Sequence, residues 1–418
     1  MALTRRAALG ALLAAPALSR AQAQARLLVI GGGFGGATAA RFARTHYPDL
    51  EVTLVEPQAR FVTCPYGNLL LAGTRQIGDI TFTYDGLRAA GVRMVQDWAE
   101  GIDAAAKRVR LRGGATLGYD KLILSPGIAL RYGALPGYDE AAAQVFPHAW
   151  VPEDGSQILL LRRQLEAMED GGVVGLSIPD NPFRCPPGPY ERISMIAAYL
   201  KRHKPRSKVL ALDAKDAFSK QGLFQDGWKQ LYGAMVEWVP ASRDGKVARV
   251  DPGAKVFETE FGERHRVDVG NVIPPQSAAR IVIEAGLAPA GWAEVDPRSF
   301  ASKLAPDIHI IGDANSGAPM PKSGFVANNT AKQAVASAAA ALRGEPPPEG
   351  VYFNTCYSHV GEGYGISIVG IYRPGPDGFV EVPGSGGVSP RGDLPEQRRL
   401  EALYADAWYA SITRDMFG

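Results

Sequence analysis

Cysteine is scarce in this chain, with three residues in 418, at positions 64, 185 and 356. None belongs to a C-x-x-C pair, which excludes a zinc ribbon, a thioredoxin-type motif and a C-x-x-C-H haem attachment together. Long apolar runs are missing too: nothing approaches the roughly 18 uninterrupted residues of a spanning helix. Like-charge blocks and low-complexity tracts are absent, and no internal repeat shows beyond two nucleotide-domain-like units. The five histidines other than His359 have no ligand spacing, so no metal is assigned.

What is present begins with a targeting segment at residues 1–23. Thr4-Arg5-Arg6 is a twin-arginine start, followed by a short apolar stretch from Ala7 to Leu18 and a small-residue cleavage site at Ala21-Gln22-Ala23. A periplasmic location is the expectation, and a twin-arginine signal suits a protein that folds around a cofactor before export. Loss of Arg5, Arg6 and Arg20 moves the formal net charge from +2 to −1. Nothing global then attracts nucleic acid. An odd thiol count in an oxidising compartment means that two cysteines can pair while the third is buried or employed otherwise. A hydrophobic content of 46% allows a large core divided over two or three domains.

The apolar run Arg26-Leu27-Leu28-Val29-Ile30 reads as a buried strand and leads into Gly31-Gly32-Gly33-Phe34-Gly35-Gly36. A small-residue helix follows from Ala37 to Thr45, then a second strand, Glu51 to Glu56. This is G-x-G-x-x-G in its strand–turn–helix context, with an acid 20 residues past the last fingerprint glycine. Gly31 makes the tight turn, Gly33 lets backbone approach a pyrophosphate, and Gly36 lets helix and strand pack closely. The phosphates belong at the helix N-terminus, and Glu56 is placed to hold a ribose hydroxyl. Tyr119 to Gly127 and Asp307 to Ala314 resemble the secondary signatures of two-dinucleotide-domain flavoproteins. In those proteins the acid matching Asp313 bonds the ribityl chain, and Gly127 lies in the small-residue turn. A helix from Ser323-Gly324 through Ala341 would direct its N-terminus at the flavin. FAD is the dinucleotide expected.

A second βαβ unit runs from Gly172–Ile178 through a helix at Ile193–His203 to Lys208–Asp213. Its joining loop, Pro179 to Glu191, keeps one glycine and carries four prolines between 182 and 189, which removes donors a pyrophosphate needs. A nicotinamide is not expected there. Cys185 lies just upstream of the helix, where a thiol gains thiolate character, or it is simply a small buried residue. Glu191 falls in the first helical turn, as a functional acid or as a residue merely favoured there.

Cys64 in Phe61-Val62-Thr63-Cys64-Pro65-Tyr66-Gly67, Cys185 in its proline-rich loop and Cys356 in Asn354-Thr355-Cys356-Tyr357-Ser358 together resemble one family. It is the flavoprotein subunit of flavocytochrome c sulfide dehydrogenase, a relative of sulfide:quinone oxidoreductase. The likeness runs from residue 26 to the C-terminus. It implies a redox-active disulfide between Cys185 and Cys356, a covalent bond from Cys64 to the FAD 8α carbon, Glu191 as acid/base and Trp408 near the flavin. It also implies sulfide oxidation to sulfane sulfur or polysulfide, with a c-type cytochrome subunit as partner. The alternatives are a membrane-associated sulfide:quinone oxidoreductase, a pyridine-nucleotide disulfide reductase, and a non-catalytic flavoprotein partner of a sulfur-oxidation carrier system.

The expected architecture is α/β and glutathione-reductase-like. An FAD domain is split over 24–138 and 276–345, a degenerate NAD-like domain occupies 139–275, and a C-terminal α+β domain spans 346–418. Three local readings accompany it. His359 reads as a polar turn residue, with proton shuttling as the alternative. Lys322 reads either as an exposed lysine beside a helix start or as a cation for reduced flavin. Leu400, Leu403, Ala407 and Trp408 form an apolar helical stripe packing over the flavin side of the core.

Overall fold

In the computed structural model, which describes residues 24–150 and 154–418, the β-branched and leucine-rich run Ala25–Ile30 forms strand β1. The expected targeting segment lies outside the described residues. β1 pairs in parallel with Leu50–Val55 (β2), and Phe34–His46 (α1) connects them. After the short helix Gly67–Ala72 (α2), Arg93–Val95 (β3) joins beside β2 and Lys121–Leu124 (β4) beside β1. Both faces of these parallel strands are covered, which is why β1, β2 and β4 read as continuous apolar runs.

A second parallel sheet follows, built from Val173–Ile178 (β5), Lys208–Asp213 (β6), Val236–Val239 (β7) and Val269–Val272 (β8). Its order is β7-β6-β5-β8, with Gly188–His203 (α3) linking β5 to β6 and Gln221–Leu231 (α4) linking β6 to β7. The helix α3 starts five residues before the apolar Ile193–His203 run, with Pro189 and Glu191 in its first turn. Ala305–Ile310 (β9) then returns to the first sheet beside β4, and Gly324–Leu342 (α5) packs on α1. Tyr352–Gly361 (β10) and Tyr364–Pro374 (β11) form an antiparallel hairpin, across which Pro395–Phe417 (α6) lies. The fold is thus α/β and glutathione-reductase-like, with two Rossmann-type sheets and a C-terminal α+β layer.

The expected stripe on α6 is only partly turned inward: Trp408 packs against the core and Leu400 is half-buried. Leu403 is 49% exposed and Ala407 is exposed, whereas Arg398, Glu401, Ala402, Ala405, Ile412 and Met416 are buried. In the first half of α6 the inward face is small and polar, with Glu401 held by Ser389 and Gln397, and Arg398 by the Pro390 carbonyl. At the other end, Arg41 on α1 donates to the carbonyls of Arg414, Asp415 and Gly418, closing the last turn of α6.

His148 and His309 are buried in the body of the fold. His148 accepts a bond from the Trp150 amide, and His309 on β9 meets the Ser299 carbonyl. Burial pushes each down to about 4, from an ordinary 6.5. The unfolded chain therefore binds more protons between these values, so stability should fall as pH drops from 6.5 toward 4. The loss is on the order of 3 kcal/mol per histidine when fully expressed. Urea midpoints at pH 7 and at acid pH should show it, and a His148→Gln/His309→Gln double variant should lose much of the difference.

Candidate active site

The fingerprint glycines form a cradle that side chains would fill. Gly31 sits at φ +93, and a Cβ there would lie 2.3 Å from the Ser125 carbonyl oxygen. A Cβ on Gly36 would lie 1.7 Å from the Gly31 oxygen, so only glycine permits this helix–strand approach. A Cβ on Gly33 would meet nothing nearer than the Phe61 ring at 3.4 Å, leaving that turn open to a ligand. Glu56, just past β2, accepts from the amides of Gly32 (2.7 Å) and Gln58 (2.9 Å).

Farther along the cradle, Gly127 turns at φ +74 beside the Arg184 guanidinium. Asp313 accepts from Arg184 Nε at 2.6 Å through one carboxylate oxygen. The other, Oδ1, is buried with no hydrogen-bond partner among the described residues. Trp408 Nε1 is likewise buried and unbonded there, on a ring packed near Phe325 at the start of α5 and Tyr357 on β10. A buried acceptor at the Gly-Asp turn and a buried donor at the α5 N-terminus fit a polyhydroxylated flavin.

At one end of this cradle the three cysteine-bearing segments meet. Cys64 precedes α2, Cys185 precedes α3 and Cys356 lies on β10. Cys64, Cys185, Asn68, Trp150, Glu191 and Arg192 line one small cavity. Glu191 accepts from Asn68 Nδ2 and from the His359 amide, each at 2.8 Å. The Cys185 amide donates to the Lys322 carbonyl (2.8 Å), and its carbonyl accepts from Gly188. Tyr66, Ala149, Cys185 and Lys220 all hold φ between +55 and +70 around this site, a backbone region costly for L residues.

The helix N-terminus does not make Cys185 a thiolate in this state. Burial raises it well above the ordinary thiol value, reinforced by Cys356, Cys64 and Glu191, and Lys220 only partly offsets that. Cys64 is pushed up to about 12 by burial despite Arg184 and Arg192, and Cys356 is raised as well. Desolvation outweighs the dipole. All three cysteines are free thiols here, so the expected Cys185–Cys356 bond is not formed in this structure, although the two act electrostatically on one another.

His359 and Lys322 also differ from their sequence readings. His359 is not a turn residue but a buried member of β10, edge-on to Tyr66 and held in its neutral range by burial. Lys322 is not exposed: it donates to the carbonyls of Asp313 (2.9 Å) and Asn315 (2.6 Å) and lies 3.7 Å over the Trp292 ring. Burial lowers it to about 8.

Residues 158–274 match the central region of the sulfide dehydrogenase (flavocytochrome c) flavoprotein chain. Residues 348–417 match the flavin-binding region of flavocytochrome c sulphide dehydrogenase, and residues 25–152 the pyridine nucleotide-disulphide oxidoreductases. A sulfide dehydrogenase (flavocytochrome c) flavoprotein chain from Chlorobaculum thiosulfatiphilum is 56% identical over 43 residues, 10% of this chain and 90% of that sequence. The chain belongs to this flavoprotein family. It is also similar to the mouse mitochondrial sulfide:quinone oxidoreductase, 24% identical over 297 residues. That match covers 69% of this chain and 65% of the mouse sequence, so the chain spans just under two thirds of that relative's length. The crystal structure of the Aquifex aeolicus sulfide:quinone oxidoreductase shares the fold, with a TM-score of 0.72 at 18% identity, covering 94% of this chain and 92% of that one.

In this flavoprotein the second nucleotide site is filled by protein. Asp213, the acid ending β6, is fully buried and accepts from Tyr190 Oη (2.6 Å), Trp238 Nε1 (3.0 Å) and Lys215 Nζ (2.6 Å). Lys215 also donates to the Pro179 carbonyl at the head of the disabled loop, and the Phe218 ring stacks on Tyr190 at 3.5 Å. The sequence exposed the lost phosphate loop but not these replacements, nor the buried Arg192. That guanidinium donates to Asn68, Asn271 and the carbonyls of His148 and Ala149. Burial draws it down to about 10. Millimolar NADH or NADPH should therefore leave the flavin spectrum unchanged over minutes under anaerobic conditions, and rapid bleaching would contradict the filled site.

Proposed function

We propose that this flavoprotein oxidises hydrosulfide to sulfane sulfur or polysulfide and passes the electrons to a c-type cytochrome in the periplasm. The observation that carries the reading is the convergence of Cys185, Cys356 and Glu191 at one buried site beside the dinucleotide cradle. The filled nicotinamide site supports it, because the electrons then come from a substrate at the thiols.

Cys185 and Cys356 alternate between two thiols and a disulfide in this scheme. Hydrosulfide attacks the Cys185 sulfur, forming a new S–S bond as the Cys185–Cys356 bond breaks, and Cys356 leaves with the electron pair as a thiolate. A second hydrosulfide then attacks the outer sulfur of the neutral persulfide, the bond to Cys185 breaks with its electron pair going to Cys185 as a thiolate, and Glu191 takes the proton of the departing two-sulfur species, which leaves as an anion. Restoring the disulfide removes two electrons from the pair. Bound FAD supplies a two-electron acceptor that can release electrons singly, which suits a haem partner. The glycine cradle, Glu56, Asp313 and Trp408 would hold it, and Cys64 would be its covalent tether at the 8α carbon. The chain has no C-x-x-C-H, so the haem belongs to another polypeptide. The twin-arginine segment at Thr4-Arg5-Arg6 supports the periplasmic location.

Likeness to sulfide:quinone oxidoreductases favours a second reading, with a quinone as acceptor. No helix among the described residues is long and apolar enough to cross a membrane. Turnover with oxidised cytochrome c against turnover with a short-chain quinone distinguishes the two acceptors. Cys185→Ser and Cys356→Ser should each reduce sulfide-dependent flavin bleaching to background while retaining flavin, and normal bleaching in both would sink the scheme. Acid precipitation tests the tether: yellow colour and added FAD mass should stay with the wild-type pellet and pass to the supernatant in Cys64→Ser.

A further inference from the structure

Lys220 occupies a position that local physics disfavours in three separate ways. It is the N-cap of α4, where short polar side chains are preferred and a cation meets the positive end of the helix. Its φ of +63 places an L side chain in the left-handed region. Its side chain is buried, at 5% exposure, and burial holds the ammonium below the ordinary lysine range. A residue that breaks several local rules at once points to a demand made by the surrounding structure.

That demand lies on another element. Lys220 Nζ reaches β10 and donates to the Cys356 carbonyl at 2.9 Å and to Ser358 Oγ at 2.8 Å. The groups facing it are Cys356 and His359 on β10, Cys185 before α3, Glu191 on α3 and Glu401 on α6. Both acids already have partners: Glu191 is held by Asn68 and the His359 amide, and Glu401 by Ser389 and Gln397. Arg184 and Arg192 face Cys64 and Cys185, whereas the cation acting on Cys356 among the described residues is Lys220.

We propose that Lys220 is the thiolate-stabilising residue of the cysteine pair, holding the negative charge that appears on Cys356 when the Cys185–Cys356 bond opens. The inference rests on the sulfide-oxidising reading for its role in turnover, but its effect on the thiol can be read without sulfide. In the opening step Cys356 takes the electron pair of the broken S–S bond and needs no proton, while Lys220 stays protonated. Without a nearby cation, burial would favour the neutral thiol and make Cys356 a poor leaving group. The two bonds to β10 fix the ammonium on the strand that carries Cys356.

The test uses flavin-loaded protein reduced with dithiothreitol, then freed of it, comparing wild type with Lys220→Met, Lys220→Arg and Ser358→Ala. Alkylation of Cys356 by iodoacetamide is followed against pH by peptide mass, which separates it from Cys64 and Cys185. Lys220→Met should raise the alkylation midpoint by about one pH unit or more, equivalent to at least a tenfold loss of thiolate at a given pH. Sulfide-dependent flavin reduction should slow in proportion. Lys220→Arg should restore most of the midpoint, and Ser358→Ala should shift it part of the way. A purely structural role would lower melting temperature and flavin content while leaving the midpoint unmoved, and that result overturns the proposal. If Lys220→Met yields no loaded protein, Ser358→Ala decides by the same criterion. A wild type that sulfide does not reduce refutes the sulfide-oxidising reading, and the alkylation midpoint then decides on Lys220 alone.

Discussion

The Glu191 carboxylate accepts from the Asn68 side chain with one oxygen and from the His359 backbone with the other. Asn68 belongs to α2, Glu191 to α3 and His359 to β10. Each of those elements carries or directly follows one cysteine, so this one acid joins the segments bearing Cys64, Cys185 and Cys356. Charge-assisted hydrogen bonds of this kind contribute about 1.5–3 kcal/mol each. Their larger effect is geometric: they bring a β-hairpin from the C-terminal layer onto a helix N-terminus of the middle unit. The rest of the site depends on that junction.

Around the junction the protein buries several cations, and each is either ion-paired or hydrogen-bonded. Arg192 is wholly enclosed and satisfied by two asparagine side chains and two carbonyls. Arg184 pairs with Asp313, Lys215 with Asp213, and Lys220 bonds β10. Removing one member of such a pair typically costs about 3–5 kcal/mol, since the other is left buried and uncompensated. The thiols are the exception, held neutral because burial outweighs the cations beside them. A buried site with fixed cations and neutral thiols responds to charge that appears during a reaction more than to charge at rest.

The middle unit shows how a nucleotide-binding frame persists after its ligand site is gone. Its four strands keep a parallel order that serves the packing of α3, and α3 serves the cysteine site. Tyr190, Trp238 and Lys215 now satisfy Asp213, Lys215 also satisfies the Pro179 carbonyl, and the Phe218 ring stacks on Tyr190. The prolines that removed donors from the loop made the loss readable in the sequence. The replacements were not readable, because Tyr190, Phe218 and Lys215 carry no local signal of a shared destination.

Local pattern determined much of this protein. The glycine fingerprint, the period of the buried strands, the disabled second loop and the helix from Gly324 are short-range features, and short-range sterics decide them. The sequence also singled out Cys64, Cys185, Cys356 and Glu191, through motif resemblance and helix position. Tertiary structure alone decided their electrostatic state, the burial of Lys322 and His359, the inward face of α6 and the reach of Lys220 to β10. Those outcomes depend on what surrounds a group on every side. Desolvation and charge–charge distance are set by segments hundreds of residues apart, and no local spacing encodes them.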